Sequence, residues 1–171
     1  MQASLLIERL RRQAAPLGAL LQNVNEEQAL WRSAEGKWSL LEVACHLLDE
    51  EREDFRVRLE HTLRNPEQEW PAIDPQGWVA SRDYAGRDLA QTLTDWRRER
   101  ERSLAWLEGL VAPDWERAHR HPAGFSLRAG DLLAAWAAHD LMHLRQLTRL
   151  HLLWLQQEAR PYVLDYAGPV D

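Results

Sequence analysis

The chain has 171 residues, a net charge of −6, 45% hydrophobic and 28% charged residues. That length suits one domain, residues 1–171, able to bury about two thirds of its unfolded surface, and the composition excludes a disordered chain. The acidic balance excludes the basic face of a nucleic-acid binder and the polybasic patch of a membrane-surface protein, and the single cysteine, Cys45, excludes an internal disulfide or a Cys-Cys zinc motif.

Residues 1–13 read as the start of an amphipathic helix rather than as a leader. That helix is predicted over Ser4 to Val24, with Leu6, Leu10, Leu17, Leu20, Leu21 and Val24 on its apolar stripe and Pro16 inside it as a possible kink. A connector is expected from Asn25 to Trp38. The second helix opens on Ser39 as N-cap, with Glu42 completing a capping box and Trp38 placed to staple onto Val43. It is expected to run to Arg64, where Asn65-Pro66 ends it. Residues 65–85, broken by Pro66, Pro71, Pro75 and Gly77, read as a long irregular connector, with Trp70 and Trp78 either lining a mouth or plugging the bundle end. The third helix is predicted from Asp88 to Leu110. A second connector covers 111–127, and the fourth helix runs from Leu127 to Glu158, stopped by Pro161. No strand-like alternation of any length stands out, and no run of about 18 apolar residues exists to span a membrane. Four long amphipathic helices read as an all-α four-helix bundle. With one cysteine and no leader, the expected location is cytoplasmic.

The strongest chemical signal is His139-x-x-x-His143. Histidines at i and i+4 share one helix face, one turn apart, and can reach one ion about 2.0–2.2 Å from each nitrogen. The plainer reading is a pair of core histidines satisfied by carboxylates or carbonyls. His46 follows the capped start of the second helix, on one face with Val43, Glu50 and Val57. If its level in the bundle coincides with that of His139 and His143, three imidazoles from two helices leave coordination positions open. Glu50, one turn after His46, is a candidate fourth ligand or catalytic base; its plainer reading, which the acidic run Asp49-Glu50-Glu51 favours, is a solvent-exposed carboxylate. Asp140 points about 100° away from His139 and is placed to orient a histidine elsewhere rather than bind the same ion. Arg145 is a candidate for a substrate carboxylate or, more simply, a salt bridge. His61, His119, His121 and His151 lack a partner at metal spacing. No His-Glu-x-x-His and no Gly-rich phosphate loop occurs, and the sole Glu-x-x-His, Glu116 to His119, falls in a connector, which argues against a ferritin-like di-iron bundle.

Two blocks carry a family resemblance. The first is Lys37-Trp38-Ser39-Leu40-x-Glu42-x-x-x-His46-Leu47-x-Asp49. The second is Leu127-x-x-Gly130-Asp131-Leu132-Leu133, leading into His139-Asp140-x-x-His143-Leu144-Arg145-Gln146-Leu147. In order and separation they resemble the DinB/YfiT-like metalloenzyme superfamily over nearly the whole chain. The resemblance implies an up-down-down-up four-helix bundle, often a homodimer, and a divalent metal, commonly zinc or nickel, on His46, His139 and His143. It further implies thiol-dependent chemistry, since relatives include transferases and isomerases that use low-molecular-weight thiols. The expectation is therefore a metal-dependent S-transferase acting with a low-molecular-weight thiol on a small electrophile. The alternatives are a metal-water hydrolase with Glu50 as base, and a non-enzymatic metal-stabilised stress-response bundle.

Overall fold

The computed structural model describes residues 2–168. Helix α1 spans Gln2–Leu21 and buries Leu10, Gln13, Leu17 and Leu21, with Pro16 accommodated inside it. The next connector contains a short helix, α2 (Glu26–Leu30), whose start is fixed by the Asn25 side chain accepting from the Gln28 N–H. Helix α3 spans Leu40–Glu53 and opens on the expected capping box: the Ser39 hydroxyl accepts from Glu42 N–H, and the Glu42 carboxylate accepts from Ser39 N–H at 2.8 Å. Trp38 packs into the same apolar cluster as Val43.

The predicted second helix is broken. At Asp54 the backbone turns to φ −112°, ψ −88°, and α4 resumes over Phe55–Arg64. The expected irregular stretch holds a further helix, α5 (Pro75–Ser81), started by Asp74 accepting from Gly77 N–H with Pro75 in the first turn. A 3-10 turn follows at Tyr84–Gly86. Trp78 and Tyr84 bury themselves against Leu41 and Cys45, so Trp78 is a plug and not a mouth residue. Helix α6 spans Leu89–Glu108. The connector after it contains a small antiparallel pair that the sequence did not suggest: β1 (Ala118–Arg120) and β2 (Ser126–Arg128), with His119 opposite Leu127. Helix α7 runs over Ala129–Glu158.

The four long units α1, α3–α4, α6 and α7 form the four-helix bundle. One apolar cluster gathers Leu17 and Leu21 of α1, Val43 and Leu47 of α3, Leu93 and Trp96 of α6, and Leu147 and Leu150 of α7. A second gathers Leu10, Leu59, Leu104, Leu107, Leu133 and Trp136. The first cluster draws on late positions of α1 and α7 but early positions of α3 and α6, so those two pairs run in opposite senses. Each fully buried leucine contributes about 1.5–3 kcal/mol relative to exposure. Between the clusters, α1, α3, α6 and α7 place polar side chains inward: Gln13, Glu50 and Glu51, Glu99 and Arg100, Asp140 and His143. This polar layer positions the site. Among the described residues, no helix is long and apolar enough to cross a membrane.

Candidate metal centre

His46 enters the polar layer from α3, His139 and His143 from one face of α7. The structure brings all three together. His46 Nε2 lies 3.2 Å from His139 Nε2, and His143 Nε2 lies 3.0 Å from the same atom. The ligand atoms of the three residues all fall within 4.8 Å of one another. Two imidazole nitrogens bound to one ion at about 2.0–2.1 Å stand about 3.0–3.4 Å apart. The observed spacings therefore fit a shared ion. They fit a metal-free core poorly, because His139 Nε2 carries either one proton or one lone pair and cannot pair fully with two other ring nitrogens.

His46 and His143 are buried and His139 is half-buried. The Trp38 ring sits 4.8 Å from the His46 ring, and the Phe55 ring 5.0 Å from that of His139. Burial and the neighbouring His143 push the His46 pKa down to about 3. Burial, with His143, His46 and Arg100, pushes His139 down to about 2. Burial also lowers His143, partly offset by Gln146. All three are thus neutral imidazoles near pH 7, the form that ligates a metal.

The far sides of the rings set which nitrogen is bare. His143 Nδ1 is 2.9 Å from Gln146 Oε1; as donor there, it leaves Nε2 free of a proton. His46 Nδ1 is a buried atom without a hydrogen-bond partner, and so is Glu50 Oε1, 3.8 Å away. Glu50 is not the solvent-exposed carboxylate that the acidic run favours; only 5% of its surface is accessible. Burial and the adjacent Asp54 carboxyl push its pKa up to about 8. It faces the Nδ1 side of His46 and is not among the converging ligand atoms.

The other acidic residues nearby are committed elsewhere. Asp49 accepts from Tyr84 Oη at 2.8 Å and pairs with Arg82. Glu51 and Asp140 both bind Arg100, so Asp140 orients an arginine rather than a histidine. Cys45 faces Tyr84 and is buried, which pushes its thiol up to about 11. Arg145 is exposed and makes no ion pair among the described residues. The remaining histidines lie apart from the three. His119 is buried in β1 with Nδ1 on Pro66 O and its ring stacked on Trp70, and His151 Nε2 donates to Leu20 O. Trp70 borders a cavity of about 260 Å³ shared with Arg58, Glu69 and His121. Gln146 escaped the sequence reading as a functional residue. Its offset of i+3 from His143 was the available signal, because that spacing brings two side chains together on a helix.

The family model described as the DinB superfamily matches residues 9–147. Among solved structures, the chain is similar to YfiT from Bacillus subtilis, described as "a probable metal-dependent hydrolase with an unusual four-helix bundle topology". The TM-score is 0.77 at 20% identity, covering 86% of this chain and 85% of that one. No curated protein matches the chain by sequence. The family match takes in all three histidines and most of the bundle, and the chain belongs to the DinB superfamily.

Proposed function

We propose that this protein is a metal-dependent enzyme whose divalent ion, zinc or nickel, is held by His46, His139 and His143, and that it transfers a low-molecular-weight thiol to a small electrophile. The observation that carries the metal is the convergence of three neutral imidazole Nε2 atoms at 3.0 and 3.2 Å, with no carboxylate among the ligand atoms. An ion on three imidazoles keeps open positions and lowers the pKa of a water or thiol that shares it.

The surroundings favour a thiol as the nucleophile. Hydrolysis by a metal-bound water is helped by a base beside the reacting oxygen, in addition to the ion's own lowering of the water pKa. Here Glu50 lies behind His46, Asp140 and Glu51 are tied to Arg100, and Asp49 is tied to Tyr84 and Arg82. A thiol, with an ordinary pKa near 8.5, needs less help to ionise. Glu50 acts as a positioning residue: a small side-chain adjustment lets its carboxyl meet His46 Nδ1 and fix that ring. Gln146 does the same for His143. Trp38 and Phe55 shield the imidazoles from bulk water on two sides.

A second reading, hydrolysis, is favoured by the likeness to YfiT and by what that protein's description says of it. The two are separated by incubating zinc- or nickel-loaded protein with a bimane electrophile and a panel of low-molecular-weight thiols, beside an ester substrate without thiol. The transferase reading expects conjugation above the uncatalysed rate that requires thiol and metal and is lost in His143→Ala. Ester turnover indifferent to thiol assigns the hydrolase. Metal uptake with neither activity leaves a non-enzymatic bundle.

A further inference from the structure

The two helices that carry the histidines share little direct packing. Helix α3 packs chiefly on α6, and α7 chiefly on α1. Yet His46 must stand within a few tenths of an ångström of a fixed position relative to His139 and His143, because ligand distances tolerate only about 0.2 Å. Something other than α3–α7 packing has to set that register.

Arg100 is placed to do so. It comes from α6, and 2% of its side-chain surface is accessible. Its Nε and Nη2 donate to the two Glu51 oxygens at 3.0 and 2.9 Å. Its Nη1 and Nη2 donate to the two Asp140 oxygens at 2.6 and 2.9 Å. Nη1 also donates to Leu10 O of α1 at 3.1 Å. An arginine has five N–H donors, so the guanidinium is fully used. Glu51 lies on α3 just beyond His46, and Asp140 follows His139 directly on α7. Trp136 of α7 adds a direct tie, donating from Nε1 to Glu51 Oε2 at 3.2 Å.

We propose that Arg100 is the positioning residue of the metal centre: by gripping Glu51 and Asp140 in two bidentate contacts, it locks α3 to α7 in the register that brings His46 to His139 and His143. This rests on the reading of the three histidines as a metal site. A planar fork is needed for the role. A lysine ammonium is a point donor and cannot span two carboxylates in this way.

The test is cobalt(II) binding to the full chain after chelator treatment, read by visible d–d absorption well below each variant's unfolding temperature. Arg100→Lys and Asp140→Asn are compared with wild type, and circular dichroism checks that each is folded. Arg56→Lys serves as control, since Arg56 ties α4 to α6 through Glu99 and Ser103 and does not reach α7. The expected result is cobalt affinity at least about tenfold weaker and shifted bands in Arg100→Lys and Asp140→Asn, with Arg56→Lys like wild type. Wild-type affinity and spectrum in both variants overturns the proposal while leaving the metal reading intact. Equal weakening in Arg56→Lys also overturns it, making Arg100 one brace among several. If Arg100→Lys does not fold, Asp140→Asn decides alone. If wild type takes up no cobalt, the metal reading itself falls and takes this proposal with it.

Discussion

Arg100→Met removes the one cation among the described residues that reaches both Glu51 and Asp140, each of which keeps 1% of its side-chain surface exposed. Methionine fills much of the volume but accepts no role in the hydrogen-bond set, so two carboxylates are left buried against an apolar stem. Removing one partner of a buried ion pair costs about 3–5 kcal/mol. Trp136 still donates to Glu51, which places the expected loss near the middle of that range, about 4 kcal/mol. For a chain of this length the unfolding entropy near the midpoint makes that a fall in Tm of about 10 °C. The assay is urea unfolding followed by circular dichroism in the presence of a chelator, so that metal binding adds nothing to the folded state. Adding Glu51→Gln and Asp140→Asn to Arg100→Met should recover a large part of the loss, because no buried charge then lacks a partner. A loss below about 1 kcal/mol, the range of an exposed pair, would refute the reasoning. Arg12–Glu8, with 77% and 43% of the side chains exposed, is such a pair.

Three further outcomes are expected. Ser39→Ala removes the hydroxyl that caps α3 and should lower stability by about 1 kcal/mol in the same urea assay; an unchanged midpoint contradicts the capping role. Gln146→Leu removes the acceptor of His143 Nδ1 and should weaken zinc or nickel binding about tenfold, measured by competition with a chromophoric chelator, with an unchanged circular dichroism spectrum. Burial works against the Glu99 carboxylate, but Arg56, Arg102 and Arg52 outweigh it and hold its pKa below the ordinary value. A carboxyl depressed in the folded state contributes stability that is present above its unfolded pKa and lost as pH falls through the folded one. Wild type should therefore lose stability as pH falls below the ordinary glutamate range of about 4.3, and Glu99→Gln should show a shallower acid slope; identical slopes contradict it.

Local signals carried much of the architecture. The capping box at Ser39 and Glu42 marks the true start of α3, and the stripe on α7 places His139 and His143 inward as its spacing requires. The break at Asp54 was not legible, because neither proline nor glycine marks it. The start of α5 was written in Asp74-Pro75 but masked by the breakers around it. Strands of three residues, as in the 118–128 hairpin, are too short for alternation to register. The acidic run Asp49-Glu50-Glu51 looks like a solvated face in isolation. It is buried because its cations arrive from far along the chain, Arg82 from the end of α5 for Asp49 and Arg100 from α6 for Glu51. Glu50 is buried with them, although the acidic run favours an exposed carboxylate. A helix surrounded by other elements has no solvent face, and nothing in α3 itself announces that.

The central claim is that His46, His139 and His143 hold one metal ion. It is tested most directly by elemental analysis of protein made without a histidine tag and loaded with zinc or nickel, with His139→Ala treated in parallel. The account predicts about one ion per chain in wild type and close to none in the variant, both folded by circular dichroism. Absence of metal in both, after loading with either ion, would contradict it and reduce the three histidines to a polar cluster in the bundle core.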